Sequence, residues 1–349
     1  MPWTTPGTAV AGAVLEASFW NSNVRDNTLL LYAQSQYPYR NLLYNGAMQV
    51  TQRAAVGSAQ TGKTTTGFYT ADRFQHVISS NGTWTDTTIA EAPTGSGFRN
   101  SFKTECTTAD ASPAAGDYSL VRQQLEGQDL QRILKGTSSA LPLVLTFWVR
   151  SNVTGTYVVE FEDLDNTRSI SKSYTISASA TWEKKEITFG ADTTGAFDND
   201  NAASASLNFW LSAGTTYTSG TLATNWAAQS NANRAVGQTN LASSSSQYWQ
   251  ITGVQLEVGT VSTPFEFLPY GDELAKCQRY FEKGDSLAVT SGTNTASFAV
   301  TKRATPSAFT FTPAAGTGGT IANLGVTGWW QNNTNSSFAG ATWTASAEL

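Results

Sequence analysis

The residues from Trp249 to Lys283 join two incompatible periodicities. Ile251, Val254, Leu256 and Val258 form an apolar, β-branched run that predicts a buried strand. Thr263-Pro264-Phe265 ends it, because proline cannot donate to a sheet ladder. Beyond Pro269-Tyr270-Gly271 the pattern turns helical. Asp272 is placed to cap, and Leu274, Cys277 and Phe281 fall at i, i+3 and i+7. A chain written this way closes a sheet domain here and passes through a short helix to a separate unit.

The region before this handover reads as one all-β domain over 41–270. Strand candidates recur at 41–50, 73–79, 84–91, 101–107, 118–125, 143–150, 157–161, 170–176, 182–189, 206–211 and 248–258. Tyr157, Val159 and Phe161 share one face of their strand, and Leu207, Phe209 and Leu211 one face of theirs. Asn81-Gly82, Gly155, Gly190, Gly195 and Gly214 supply turns. Helical spacing is confined to Gly127–Lys135, through Leu130, Ile133 and Leu134. Many strands with little helix predict a β-sandwich of jelly-roll type.

Two shorter segments flank that domain. In 1–40, Glu16 to Ala33 carries Phe19, Trp20, Val24, Leu30 and Leu31 at loosely helical spacing, with Ser18 as a cap. Asn23 and Asn27 dilute the apolar face, so this helix needs a surface to pack on. That surface is either its own domain, or sister or partner chains. Residues 271–349 predict the linker helix and a small β unit. There Phe298 to Arg303 precedes Pro306, Phe309-Thr310-Phe311 resumes alternation, and Trp329-Trp330 and Trp343 follow. So short a unit buries little surface alone, and neighbouring copies would supply the missing core.

Composition excludes several function classes. Only 13% of the 349 residues are charged, against about 25% in ordinary soluble proteins. Aromatics reach 11%, with 11 Trp, which a disordered tail would lack. The net charge is −5 and no Lys/Arg cluster occurs, so the footprint of a nucleic-acid binder is missing. Leu29-Leu30-Leu31 is too short to span a bilayer, and the start lacks the pattern of a secretory signal. Cys106 and Cys277 are far apart in sequence and read as reduced thiols.

Several motifs have a chemical and a plain reading. Gly57 to Thr64 spells G-x-x-x-x-G-K-T, but a phosphate loop needs a buried strand before it and a helix after it. Polar Gln49–Arg53 and Thr65-Thr66-Gly67 offer neither. His76 is the only histidine, so any Ser-His-Asp mechanism must use it. Its alternating neighbours predict a structural histidine in a strand. Glu160 and Glu162 share a strand face and read as solvated, because glycoside hydrolysis needs carboxylates across a cleft. Asp198-Asn199-Asp200-Asn201 is oxygen-rich but lacks the Gly and distal Glu of an EF-hand loop. No metal or cofactor is expected.

The tryptophans are the better ligand candidates, since sugar rings stack on flat aromatic faces while amides hold the hydroxyls. Trp329 and Trp330 with Asn332, Asn333 and Asn335 form one candidate glycan contact. Trp226 and Asn225, flanked by Tyr217 and Gln229, form a second. The alternative for both is core packing or a seam between subunits. Adjacent Trp329 and Trp330 in a strand would face opposite ways, so one of them reads as core.

The run VQLEVG, then TPFEFLPYGDEL, then CQRYFEK resembles a module of tail fibre and receptor-binding proteins of tailed bacteriophages. The opening WTTPGT…VAG…NSNVRDN is similar to phage structural proteins. Leu141–Phe189 resembles carbohydrate-binding-module-like jelly rolls of phage fibres. The Val300–Pro306 turn and the terminal AEL resemble the far ends of such fibres. The resemblance implies a non-enzymatic virion protein, made in the host bacterial cytoplasm. It implies a homotrimer joined to a phage tail or baseplate protein through 1–40, with a distal tip that meets host cell-surface polysaccharide. Two alternatives stay open: a fibre-borne polysaccharide depolymerase, and a purely structural spacer or decoration fibre.

Overall fold

A computed structural model describes residues 14, 16–28, 39–289, 292–312, 320–333 and 338–349. Strands β1 (Gln60–Lys63), β2 (Gln75–Ser79), β3 (Thr83–Ile89), β4 (Ser101–Thr108), β5 (Tyr118–Glu126), β6 (Leu143–Ser151), β7 (Gly155–Asp163), β8 (Arg168–Ile176), β9 (Glu183–Phe189), β10 (Ala203–Ala213), β11 (Ala227–Ala228) and β12 (Tyr248–Val258) build two six-stranded sheets. One runs β1-β3-β4-β12-β6-β9, the other β11-β8-β7-β10-β5-β2. The strand pairs are antiparallel. This is the jelly-roll β-sandwich that the alternation predicts. The inner faces meet through rings such as Phe147 against Phe209 at 5.2 Å and Phe209 against Trp249 at 5.7 Å. β12 is bulged at Gly253, whose φ of +63° and contact with the Phe98 ring leave no room for a Cβ.

Several expectations differ from the structure. The 41–50 segment is an irregular buried loop, not a strand. Asn45 and Met48 take positive φ, and the Asn45 amide donates to the carbonyls of Val50 and Asp72. Leu42, Leu43, Met48 and Val50 are buried all the same, so apolar content foretold burial but not conformation. The helix at Gly127 lasts only to Leu130 and continues as a 3-10 turn over Gln131–Ile133. Leu134 then takes φ of +55° and is exposed, so the apolar face ends at Ile133. Phe298 to Arg303 is a turn, in which Phe298 enters a core and Lys302 pairs with Glu282.

The linker helix spans Tyr270–Gln278 with Pro269 at its N-cap, so Asp272 lies in the first turn and is not the cap. Phe281 has already left the helix and opens β13 (Phe281–Val289). β14 (Gly292–Ser297), β15 (Ala308–Thr312), β16 (Thr320–Leu324), β17 (Gly328–Asn333) and β18 (Phe338–Ser346) follow. They form two three-stranded sheets, β13-β18-β15 and β14-β17-β16.

The end of the chain returns to the sandwich. Glu348 accepts from Arg53 at 2.8 Å and from Arg73, whose guanidinium lies 3.4 Å over the Tyr280 ring. Arg279 grips Glu126 with two bonds of 2.8 and 2.7 Å, and Arg303 donates to the carbonyls of Ala347 and Asn201. Cys106 and Cys277 are free and buried, and burial pushes the Cys106 thiol up to about 11.

Toward the N-terminus, Ala17–Trp20 is helical and continues as a π-helix over Asn21–Asp26. Glu16 is the N-cap, so Ser18 does not cap, and Trp20 and Val24 are exposed. Leu29–Leu31 lie outside the described residues. Among the described residues no helix is long and apolar enough to cross a membrane.

Candidate glycan contacts and the buried polar clusters

Trp329 lies in β17 and is a core residue, 4% exposed. It packs against Phe309 and Phe311 at 5.4 Å each and against Trp343 at 6.3 Å. As a glycan contact it is therefore corrected: its ring faces are spent on the core of the C-terminal unit. Trp330, Asn332 and Asn333 continue β17, where Trp330 pairs with Thr295 and Asn332 with Thr293. Asn335 lies outside the described residues.

Trp226 is half-buried against the main core. Its indole N–H donates to the Gly190 carbonyl at 2.8 Å, its ring meets Phe161 edge-on at 5.8 Å, and the Lys135 ammonium sits 5.1 Å from it. Neighbouring Asn225 is exposed. The pair therefore offers one open amide beside an indole engaged with protein on its inner side.

Glu160 and Glu162 do not form a solvated face. Glu160 is 0% exposed. Residues 214–247 cross the outer face of the second sheet, and their Arg234 meets both carboxylates: 2.8 and 2.9 Å to Glu160, 3.0 Å to Glu162. Asn208 donates to both, at 3.1 and 2.9 Å, and Gln229 donates to Glu162 at 2.6 Å. Tyr118, Trp210 and Tyr217 pack beside them in tilted and edge-on contacts. Burial raises the Glu160 carboxyl above the usual range, opposed chiefly by Arg234. Nearly every hydrogen-bonding direction of these acids is taken from within the chain, which is the signature of a structural network.

His76 stands in a triad-like line. Its Nδ1 is 3.0 Å from both oxygens of Asp86 and its Nε2 is 2.8 Å from Ser119 Oγ. β2 and β5 carry His76 and Ser119 in one sheet, and β3 carries Asp86 in the other. All three are buried, and Trp84 closes the site edge-on at 5.3 Å. A hydrolase needs its serine open to substrate; this line is a polar staple between the sheets. Ser119 is expected to stay unlabelled when the native protein is incubated with a fluorophosphonate, and a covalent adduct there would reverse that reading.

The phosphate-loop look-alike ends in β1, an edge strand paired with β3, and the Lys63 ammonium sits 4.5 Å from the Tyr69 ring centroid. The Asp198–Asn201 loop is held by turn bonds: Asp200 accepts from Ala202 N at 2.9 Å, and Asp165 from Asp198 N at 2.9 Å. Among the described residues no group of three or more His, Cys, Asp or Glu is placed to hold a metal ion.

One surface escaped the sequence reading. Phe98, Phe265 and Phe267 meet at 4.8 to 5.2 Å, and Phe267 and Tyr270 are each about half exposed. Its signal was present as aromatics between Pro264 and Pro269, but Phe98 joins them only through the fold.

No family model matches this chain, and no curated protein sequence does. Solved structures give weak likenesses. The enzymatically active domain of tailspike protein 4 of bacteriophage CBA120 is 15% identical, with a TM-score of 0.33 over 64% of this chain. This chain spans only 22% of that one. A family 11 carbohydrate-binding module from a cellulosomal cellulase of Clostridium thermocellum is 13% identical, with a TM-score of 0.30, covering 60% of this chain and 99% of the module. A putative sugar binding protein from Bacteroides thetaiotaomicron is 12% identical at 0.31, covering 62% and 99%. At such scores the jelly roll rests on this chain's own strand pairing.

Proposed function

We propose that this protein is a non-enzymatic tail fibre or receptor-binding protein of a tailed bacteriophage, and that it attaches the virion to a polysaccharide on the host cell surface. The observation that carries this reading is the joint at 249–283. The residues whose text resembles phage fibre modules are the ones that make β12, the linker helix and the start of β13. The resemblance therefore falls on the architecture that fixes one unit to the next. In this reading 1–40 binds a tail or baseplate protein, three copies associate, and the C-terminal unit is the distal tip. The constellations suited to hydrolysis are buried and internally paired, which supports binding over cleavage.

Trp330 is the proposed stacking residue, because successive strand residues face opposite ways and Trp329 is core. Asn332, Asn333 and Asn335 would hold hydroxyls. Trp330→Ala is expected to weaken adsorption to host cells by about 1–2 kcal/mol per site, multiplied by avidity in a trimer. Trp226→Ala is expected to lower the melting temperature and leave adsorption by folded protein unchanged. Equal adsorption by Trp330→Ala and the parent would remove the tip reading and favour a spacer. Release of reducing ends from host polysaccharide would promote the depolymerase. A monomer at micromolar concentration in sedimentation would remove the trimer.

A further inference from the structure

Several loops converge on one ammonium group. The Lys135 side chain is 2% exposed. Its Nζ donates to the Asp163 carboxylate and to the carbonyls of Thr194 at 2.9 Å and Gly195 at 2.7 Å, with Asp192 Oδ2 at 3.1 Å. The Phe197 and Trp226 rings face it at 5.1 Å each.

The oxygens are held by more than the lysine. Asp163 Oδ1 accepts from Asn166 N at 3.0 Å. Arg168 grips Asp192 through bonds of 2.8 and 3.0 Å, and Thr194 N donates to Asp192 at 3.1 Å. Gly195 has φ of +71° and no space for a Cβ beside Asn166, so the carbonyl it offers is set by the backbone. Charge closes as well: Asp163 and Asp192 face Lys135 and Arg168.

We propose that this is a cation-binding cage whose occupant is the chain's own ammonium group, and that it accepts a free ammonium ion when that group is removed. The contacts to Thr194, Gly195 and Asp192, 2.7 to 3.1 Å, are N–H···O lengths that a free ammonium ion would keep. A single positive charge also restores neutrality, where a divalent ion would overshoot. The Lys135 ammonium thus does the work of a structural ion and ties 190–197 to the 163–168 hairpin and to Trp226.

The test is thermal melting of the full chain carrying Lys135→Ala, in ammonium chloride, tetramethylammonium chloride or calcium chloride at equal ionic strength. The melting temperature is expected to fall on the order of 10 °C and to recover saturably in ammonium only. The parent should respond to none of the three as a specific ligand. Lys135→Met fills the space without charge, and should fall without recovery. Should Lys135→Ala fail to fold in salt-free buffer, the yield on refolding with and without ammonium reads the same property. Equal recovery in ammonium and tetramethylammonium, preferential recovery in calcium, or a Lys135→Met as stable as the parent would each overturn the proposal.

Discussion

Replacing Glu348 with alanine is expected to destabilise the protein by about 3–5 kcal/mol, because it strands buried cations. Glu348 serves Arg53 and Arg73 together, and Arg73 is 1% exposed. Burial works against the Arg73 charge, and Glu348 is the chief influence restoring it, so its pKa sits above the usual arginine range. After truncation Arg53 keeps Asp72 at 3.2 Å, while among the described residues Arg73 keeps the Gln124 carbonyl at 2.7 Å and the Tyr280 ring. Differential scanning calorimetry should show a fall in melting temperature on the order of 10 °C. Glu348→Gln, which keeps shape and one acceptor, should fall less. The double variant Arg73→Met with Glu348→Leu should recover much of the loss, since apolar pairs often replace buried ion pairs at little cost. A Glu348→Ala protein that melts with the parent would show that the end of the chain does not secure the C-terminal unit.

Arg234→Ala is expected to cost a similar amount, about 3–5 kcal/mol at neutral pH, with a distinctive pH dependence. It leaves Glu160 buried with Asn208 and the Trp210 indole as remaining donors. Burial already raises the Glu160 pKa, and Arg234 is the first influence opposing it. Without the arginine the folded-state pKa rises further above its unfolded value. A carboxyl raised in this way binds its proton more tightly folded than unfolded, so stability is lost as pH rises through the folded pKa and is retained below the unfolded one. The deficit of Arg234→Ala against the parent should therefore shrink as pH falls from neutrality toward the ordinary carboxylate range. Chemical denaturation at several pH values measures it. A deficit that is constant, or that widens in acid, would mean that Glu160 is not the group left exposed to the loss.

The strands were legible because their evidence is local. Tyr157, Val159 and Phe161 alternate within one segment, and they pair and bury as that alternation requires. The same holds for β10 and for β12, whose apolar run, proline stop and helix follow each other without distant help. Trp329 and Trp330 could be read as one inside and one elsewhere, but only the packing of Phe309, Phe311 and Trp343 decided that Trp329 is the core member.

What remained hidden was pairing over distance. Glu160 read as solvated because alternation says which residues share a face, not what covers it. Its cover, 214–247, is rich in Ser, Thr, Asn and Ala and carries no periodic signal, and its partner Arg234 is 74 residues away. Arg73 and Glu348 are 275 residues apart. The loop at 41–50 failed for a related reason: its Asn45 satisfies its own backbone and that of Asp72, so a run of apolar residues could be buried without a ladder. Period and propensity act between neighbours in the chain, and they determined the all-β class, the jelly roll and the joint at 249–283. Burial of a charge depends on which distant segment desolvates and neutralises it, and that was decided only by the tertiary structure.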